Sequence, residues 1–447
     1  MEATSNTYKY ELNVLNGDDM TNLLSLQKDS TSDDKTTINA LLLKHGLTQK
    51  FYNDNDRTYN IIRMNKGKVQ LNEYINVGKF RSVIFRDGIL KCISPPKSIN
   101  YNDAIKMEQF TSGAKATEFV EGTMINIFWD DNAWRISTRS SVGGRVGFFT
   151  TGTTRRPEYN NTFRWMFLDT INKLEDNNPE DGEFFEMMND MPHDVCISCV
   201  LQHPNNRIVV PFSEPSIYIV AAYRLTNTTA EPIDIYTNEF TSKFPTWVKY
   251  PEVYQFENYD ELVNKYAGPN TDYKTLGVMI TSAGGELRTK IRNTAYETVR
   301  QLRGNQPKLQ YSYLVLRKER KVGEYLKYYP EHKAMFSKYR QDIHLFTDRL
   351  HSNYVSCYVR KEKPLREYPD EFRTNMFNLH KIFKTELIQN GRIVNKSIVI
   401  RYVNALEPSI LMHVLNFRAN HSRKNTTYKN QEQDNSQEQD TNNVETA

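Results

Sequence analysis

Cysteine is scarce in this chain: 447 residues carry four, Cys92, Cys196, Cys199 and Cys357. That excludes a disulfide framework of the small secreted kind. Only Cys196 and Cys199 form a C-x-x-C pair, inside an apolar, strand-like run with no second pair nearby. Buried thiols are therefore expected there, rather than zinc or redox chemistry. Long apolar runs are missing too. Nothing approaches the roughly 20 residues a membrane helix needs, and Met1 to Asp18 lacks a basic start followed by an apolar block. No membrane partner and no secretion are expected, and few cysteines favour a reducing, cytoplasmic setting. The third absence is a large excess of one charge: 58 Lys and Arg against 54 Asp and Glu leave a net +4, too little to announce a nucleic-acid binder.

The positive charge is nevertheless uneven. Arg288, Lys290, Arg292, Arg300, Arg303, Lys308, Arg317, Lys318, Arg320 and Lys321 are opposed only by Glu297 and Glu319 over that stretch. Such a run can follow a phosphate backbone, or it can be a solvated helix face with a linker. Along the chain, residues 1–35 read as a frayed segment with one short helix at Met20 to Gln27. From Tyr59 to Ile93 apolar and polar residues alternate between turn signals at Asn65 to Gly67 and at Asp87-Gly88, as in antiparallel strands. Further strands are expected at Glu118–Trp129, Trp134–Thr138, Val195–Leu201, Arg207–Val210, Ile217–Tyr223, Leu276–Ile280 and Leu287–Arg292. Helical spacing marks Phe163–Leu174 and Tyr259–Lys265. After Pro307, apolar residues three or four apart (Tyr325, Tyr329, Met335, Phe336, Tyr339, Ile343, Phe346, Leu350) predict a helical domain. The expectation is α+β: a sheet domain over 36–308, a helical domain over 309–420, and a polar tail over 421–447 that cannot offset the entropy of ordering.

Four segments, in order, carry a resemblance. They are KFRSVIF at Lys79–Phe85 with SPPKSIN at Ser94–Asn100; FVEGTM at Phe119–Met124 with STRS at Ser137–Ser140 and Gly143-Gly144; LQHPNNRIVVP at Leu201–Pro211; and LGVMI at Leu276–Ile280 with RTKIRNTAY at Arg288–Tyr296. Together they resemble RNA ligases of the T-even phage type, and similar phrases occur in RNA-ligase-like proteins of large cytoplasmic DNA viruses. The resemblance spans about half of the chain and implies a nucleotidyltransferase (ATP-grasp-like ligase) core of antiparallel sheets with flanking helices. It implies RNA as partner, ATP and Mg2+ if the chain is active, and the host cytoplasm or a virion if it is viral. By the same resemblance Glu121, Gly122, Thr123, Arg139, Arg207, Lys290 and Arg292 would surround the nucleotide.

One position departs from the pattern at its most reactive point. The family motif Lys-x-(Asp/Glu)-Gly-(Ser/Thr) puts its nucleophilic lysine on Phe119, and two family carboxylates fall on Val200 and Leu276. Losing all three charges together avoids stranding a buried carboxylate without its cation. An apolar pocket floor built of Phe119, Val200 and Leu276 is therefore expected. Lys97 is the candidate for a relocated nucleophile; Lys290 is expected to clamp phosphate, and Arg292 can do so but stays protonated. Glu183 or Glu186 could replace a lost carboxylate, His203 is expected to be structural, and Glu121 can equally support the turn at Gly122. Two readings stay open: an unconventional nucleotidyltransferase, or a non-catalytic binder of RNA or another phosphate-bearing partner, a structural or interaction role included.

Overall fold

A computed structural model of the chain describes residues 8–12, 32–54, 56–65, 67, 77–148, 162–175, 188 and 190–419. The expected helix at Met20–Gln27, the polar tail, Glu183, Glu186 and part of the turn at Asn65–Gly67 lie outside them. Two compact units divide the chain, Met1–Arg303 and Gly304–Ala447.

The first unit holds fifteen strands among its described residues: β1 (Tyr10–Glu11), β2 (Leu47–Asp54), β3 (Arg57–Met64), β4 (Val83–Arg86), β5 (Ile89–Ile93), β6 (Lys115–Glu118), β7 (Thr123–Asp130), β8 (Ala133–Thr138), β9 (Ser141–Val142), β10 (Val195–Gln202), β11 (Ser216–Leu225), β12 (Thr229–Ile233), β13 (Val253–Tyr254), β14 (Gly277–Thr281) and β15 (Arg288–Arg292). They form three antiparallel sheets, in the orders β1-β12-β11-β10-β7-β8-β9, β13-β6-β14-β15 and β2-β3-β4-β5. With helices at Phe163–Glu175, Tyr259–Tyr266 and Thr294–Arg303, the architecture is α+β.

Strand β10 runs through the middle of the large sheet, and that explains its apolar text. Both its faces are covered, so Val195 to Leu201 are all buried. Cys196 belongs to the core shared with the β2–β5 sheet, and Cys199 to the opposite core under the helix Phe163–Glu175. The two thiols of the C-x-x-C pair thus face away from each other, as an odd spacing on a strand requires. A third core, built around Phe110, Leu262, Val278 and Ile291, lies beneath β14 and β15. The helix Tyr259–Tyr266 that covers it is capped by Asn258, whose Oδ1 accepts the Glu261 amide at 2.9 Å.

Three expectations are corrected. The strand read over Glu118–Trp129 is two strands in different sheets, because the chain leaves β6 at Phe119 and re-enters at Thr123 in β7. The break falls at Glu121-Gly122, where Gly122 takes φ +152°; a lone Glu-Gly between two apolar stretches is too short a signal to separate one strand from two. Arg207–Val210 is not a strand: its amides turn onto the buried Glu121 carboxylate, which takes the N–H groups of Val209 and Val210 at 3.0 Å each. Nor is the N-terminal segment frayed throughout, since Tyr10 and Glu11 pair with β12 and the buried Tyr10 hydroxyl donates to the Gly285 carbonyl at 2.6 Å.

In the second unit, helices at Leu309–Lys318, Val322–Tyr328, Lys333–Tyr354, Asp370–Ile382, Lys396–Ala405 and Pro408–Leu415 enclose their own core. The spaced apolar residues form it: Tyr325, Tyr329, Phe336, Tyr339, Ile343, Phe346 and Leu350 are buried. No single described helix is long and apolar enough to cross a membrane.

Candidate functional site

A cavity of about 1080 Å³ opens within the first unit, walled by the β13-β6-β14-β15 sheet on one side and the large sheet on the other. Its charge is set by β15. Along Arg288–Arg292, Thr289 and Ile291 are buried in the core while Arg288, Lys290 and Arg292 line the cavity, so strand alternation puts three cations in one row. Register places this row beside β14, with Lys290 opposite Met279 and Arg288 opposite Thr281; β14 in turn pairs with β6, Met279 opposite Thr117 and Thr281 opposite Lys115. Arg81 and Lys97 enter from the segments around β4 and β5, Arg63 from β3 and Arg139 from the turn after β8. Among the described residues, Arg63, Arg81, Lys97, Lys115, Arg139, Arg288, Lys290 and Arg292 give eight cations, against the two carboxylates Glu118 and Asp234.

Phe119 lies where the two walls meet. Its amide donates to the Gly277 carbonyl at 3.3 Å, which extends the β6–β14 pairing by one residue. Gly277 presents no side chain to the ring, and Lys290 Nζ and the Arg292 guanidinium stand 5.7 and 5.8 Å from the ring centroid. From the large sheet Val200 and Met124, paired across β10 and β7, complete an apolar patch. Leu276 does not join them. It is buried, and the side chains that β14 turns to the cavity are Met279 and Thr281. The apolar floor is therefore Phe119, Val200, Met124 and Met279, because Leu276 falls one residue before the pleat that faces the cavity.

The sequence-derived site residues divide into two groups. Gly122, Arg139, Lys290, Arg292 and Lys97 line the cavity; Glu121, Thr123 and Arg207 do not. Glu121 is 5% exposed and accepts the Val209 and Val210 amides; burial pushes its carboxyl up, and those amides and the Tyr296 hydroxyl oppose the shift. Thr123 Oγ1 accepts from Asn206 at 2.7 Å, and Arg207 Nε donates to the Val209 carbonyl at 3.1 Å. These three hold the FVEGTM turn against the Asn206–Val210 loop. His203 is buried and structural in its contacts, with Nε2 on Asp169 at 2.9 Å and Nδ1 accepting the Asn205 amide at 3.1 Å. Sequence reasoning did not single out Arg81, Arg63 or Met279. Alternation in Arg-Thr-Lys-Ile-Arg is the signal that brings Arg288 into the row; Arg81, from a single 3-10 turn, offers none.

The cations shift one another. Lys290 is pushed down to about 7, chiefly by burial and then by Arg292, Lys97, Arg81 and Arg288. Arg81 is lowered to about 10 by burial, Arg288 and Arg139. Arg292 is anchored by Glu297, which also takes Arg300 at 3.1 Å. Lys115 pairs with Asp234 at 3.7 Å and lies 3.7 Å from the Tyr236 ring centroid. Crowded cations with few counter-charges fit the oxygens of phosphate groups, which would relieve the repulsion. The same lining does not fit a divalent ion held by protein ligands: among the described residues, Glu118 and Asp234 are its only carboxylates, and no group of three His, Cys, Asp or Glu could hold a metal.

The basic run of the sequence is not one surface of one unit. Arg288 to Arg292 belong to the cavity, Arg300 and Arg303 to the following helix, and Arg317 to Lys321 to the second unit.

No protein-family model matches the chain, and no curated protein matches it. Solved structures similar to it include a mutant RNA ligase of Naegleria gruberi with ATP and Mn (12% identity over 47% of this chain and 58% of that chain, TM-score 0.32). An apo form of another mutant of that ligase is similar at 10% identity over 48% and 59%, TM-score 0.34. A protein from Aquifex aeolicus labelled an ATP-dependent DNA ligase is similar at 11% identity over 79% and 80%, TM-score 0.38. The chain spans less than two thirds of the length of the Naegleria ligase structures.

Proposed function

We propose that the first unit is an RNA-ligase-like nucleotidyltransferase domain whose cavity binds the phosphates of RNA and of a nucleoside triphosphate. The observation that carries this reading is the imbalance of eight cations against two carboxylates around one cavity. Phe119 rules out a covalent nucleotide at that position, since a phenyl ring offers no nucleophile. Arg288, Lys290 and Arg292 would hold phosphate oxygens, with Arg81 and Lys97 opposite them. The apolar patch of Phe119, Val200, Met124 and Met279 would take the base or ribose. A divalent ion such as Mg2+ would enter with the triphosphate. Glu121, Thr123 and Arg207 would act indirectly, by fixing the turn that carries Phe119 and Gly122. A non-catalytic RNA-binding role is favoured by the Phe119 substitution itself, and both readings share the same site.

Binding of a short single-stranded RNA by the full chain is expected to weaken linearly in log–log form as salt rises, with a slope of about −0.7 per phosphate neutralised. Losing two charge-assisted contacts, each worth about 1.5–3 kcal/mol, in the double variant Arg288→Ala, Lys290→Ala should cost about 10²- to 10⁴-fold in affinity and flatten the slope. Unchanged affinity and slope in that variant would remove the cavity as the binding site. Because phosphate favours the protonated amine, binding should also take up a proton. Affinity should fall by up to about tenfold per pH unit above about 7, until the amine's value in the complex is passed. Lys290→Arg should flatten this dependence, which titrations between about pH 6 and about pH 9 would measure.

A further inference from the structure

Three lysines line the cavity, and their amines are not equivalent. Lys97 Nζ donates to the Ser98 carbonyl at 3.1 Å, and Lys115 pairs with Asp234. Lys290 Nζ has no hydrogen-bond or ion-pair partner among the described residues; its contact is the Phe119 ring, 5.7 Å from the centroid. Around it stand Arg81, Arg288 and Arg292, whose planar guanidinium groups suit phosphate oxygens but are not nucleophiles toward phosphorus. We propose that Lys290 is the covalent acceptor of the nucleotide, the amine that attacks the α-phosphorus of a nucleoside triphosphate seated in this cavity. The inference rests on reading the cavity as a phosphate site.

In the step, the Nζ lone pair forms a P–N bond to the α-phosphorus. The P–O bond to the β-phosphate breaks, pyrophosphate leaves with that electron pair, and the proton displaced from nitrogen passes to water. The products are a lysyl phosphoramidate of the nucleotide and pyrophosphate. Burial and the neighbouring cations push Lys290 down to about 7 before phosphate enters, so less free energy separates the phosphate-bound ammonium from the neutral, attacking amine than for an ordinary lysine. Phe119 contributes by what it lacks: a lysine there would add a ninth cation to a lining in which Glu118 and Asp234 are the described carboxylates, whereas the ring gives Lys290 an uncharged support. Charged groups acting on Lys290 are Arg288 and Arg292 on its own strand and Arg81 and Lys97 from the segments around β4 and β5; Glu118, at the end of β6, lines the same cavity.

The test uses the full chain, incubated with α-labelled ATP, and separately GTP, in the presence of magnesium or manganese. Label surviving denaturing electrophoresis, labile to acid and stable to alkali, and mapped by peptide mass spectrometry to Lys290, is the expected result. Lys290→Ala and Lys290→Arg should lose it; Lys106→Ala, exposed and outside the cavity lining, should keep it. Lys290→Arg guards against misfolding, because it should still show a rise in melting temperature with ATP. A second readout needs no turnover: trace acylation at increasing pH should modify Lys290 with a midpoint near 7, against about 10 for ordinary lysines, and ATP should protect it. Label on Lys97 or another residue overturns the inference. So does an absence of label with both nucleotides while ATP still raises the melting temperature, a result that leaves the phosphate-binding reading standing. If neither nucleotide nor RNA binds at all, that reading falls and takes this one with it.

Discussion

Asp130→Ala should lower the unfolding free energy of the first unit by about 3–5 kcal/mol, a large part of the roughly 5–15 kcal/mol that holds an ordinary domain together. Asp130 closes the β7–β8 hairpin and is 2% exposed. Its carboxylate accepts from Arg86 at 2.6 Å, from Lys91 at 2.9 Å and from the Tyr59 hydroxyl at 2.9 Å. The large sheet is thereby joined to the β2–β5 sheet by one buried anion serving three donors. Removing it takes their buried acceptor from Lys91 and the Tyr59 hydroxyl and leaves Arg86 with Asp87 at 3.4 Å, and that loss of compensation, rather than the pair's own strength, sets the size of the effect. Burial alone would raise this carboxyl, but Lys91, Arg86 and Tyr59 outweigh it and hold it below the usual value. A depressed folded value contributes stability that is present above the unfolded value near 3.9 and is lost as pH falls through the folded one. The gap between wild type and Asp130→Asn in urea unfolding should therefore narrow as pH drops from about 7 toward about 3. A variant within about 0.5 kcal/mol of wild type would show that the network is not what joins the sheets.

Gly277→Ala is expected to damage stability and site together, by on the order of 3 kcal/mol or more. Gly277 opens β14 at φ +133°, a region closed to residues with a side chain, and a Cβ there would stand 2.1 Å from the Ile291 carbonyl oxygen. That oxygen belongs to the strand that carries Lys290 and Arg292, so relief of the clash has to push β15 away from β14. The Phe119 amide, bonded to the Gly277 carbonyl, would be disturbed at the same time. The variant should melt earlier and lose RNA affinity in parallel, whereas Gly304→Ala, at φ +69° with open space around it, should pay only the backbone term. Equal losses at both positions would argue against close approach as the cause.

How much of this was legible in the text differs from segment to segment. The helical unit was, because Tyr325 to Leu350 keep apolar residues at helical spacing, with the break between two helices marked by Pro330. The sheets were legible as strands but not as sheets. Nothing in Glu118–Trp129 says that its first residue pairs with β14 and that the rest, from Thr123, pairs with β10. Register is a property of partners distant in sequence. The same limit explains Leu276, placed on the pocket floor by its likeness to a family position yet turned into the core by the pleat. Cations were legible where alternation exposes them, at Arg288, Lys290 and Arg292. Arg81 depends on how a 3-10 turn folds over the cavity. The low acidity of the Lys290 ammonium's usual environment is likewise reversed only by a three-dimensional crowd, and its neighbours come from positions about 190–210 residues earlier as well as from its own strand.

The most direct measurement for the account is to map where RNA lies on the full chain. A 5′-phosphorylated single strand carrying 4-thiouridine, crosslinked by light and digested for peptide mass spectrometry, should mark the cavity walls, on peptides containing Lys115–Met124 and Gly277–Arg292, and ATP should compete. Crosslinks confined to the helical unit, around Arg317–Lys321, and indifferent to ATP would contradict it.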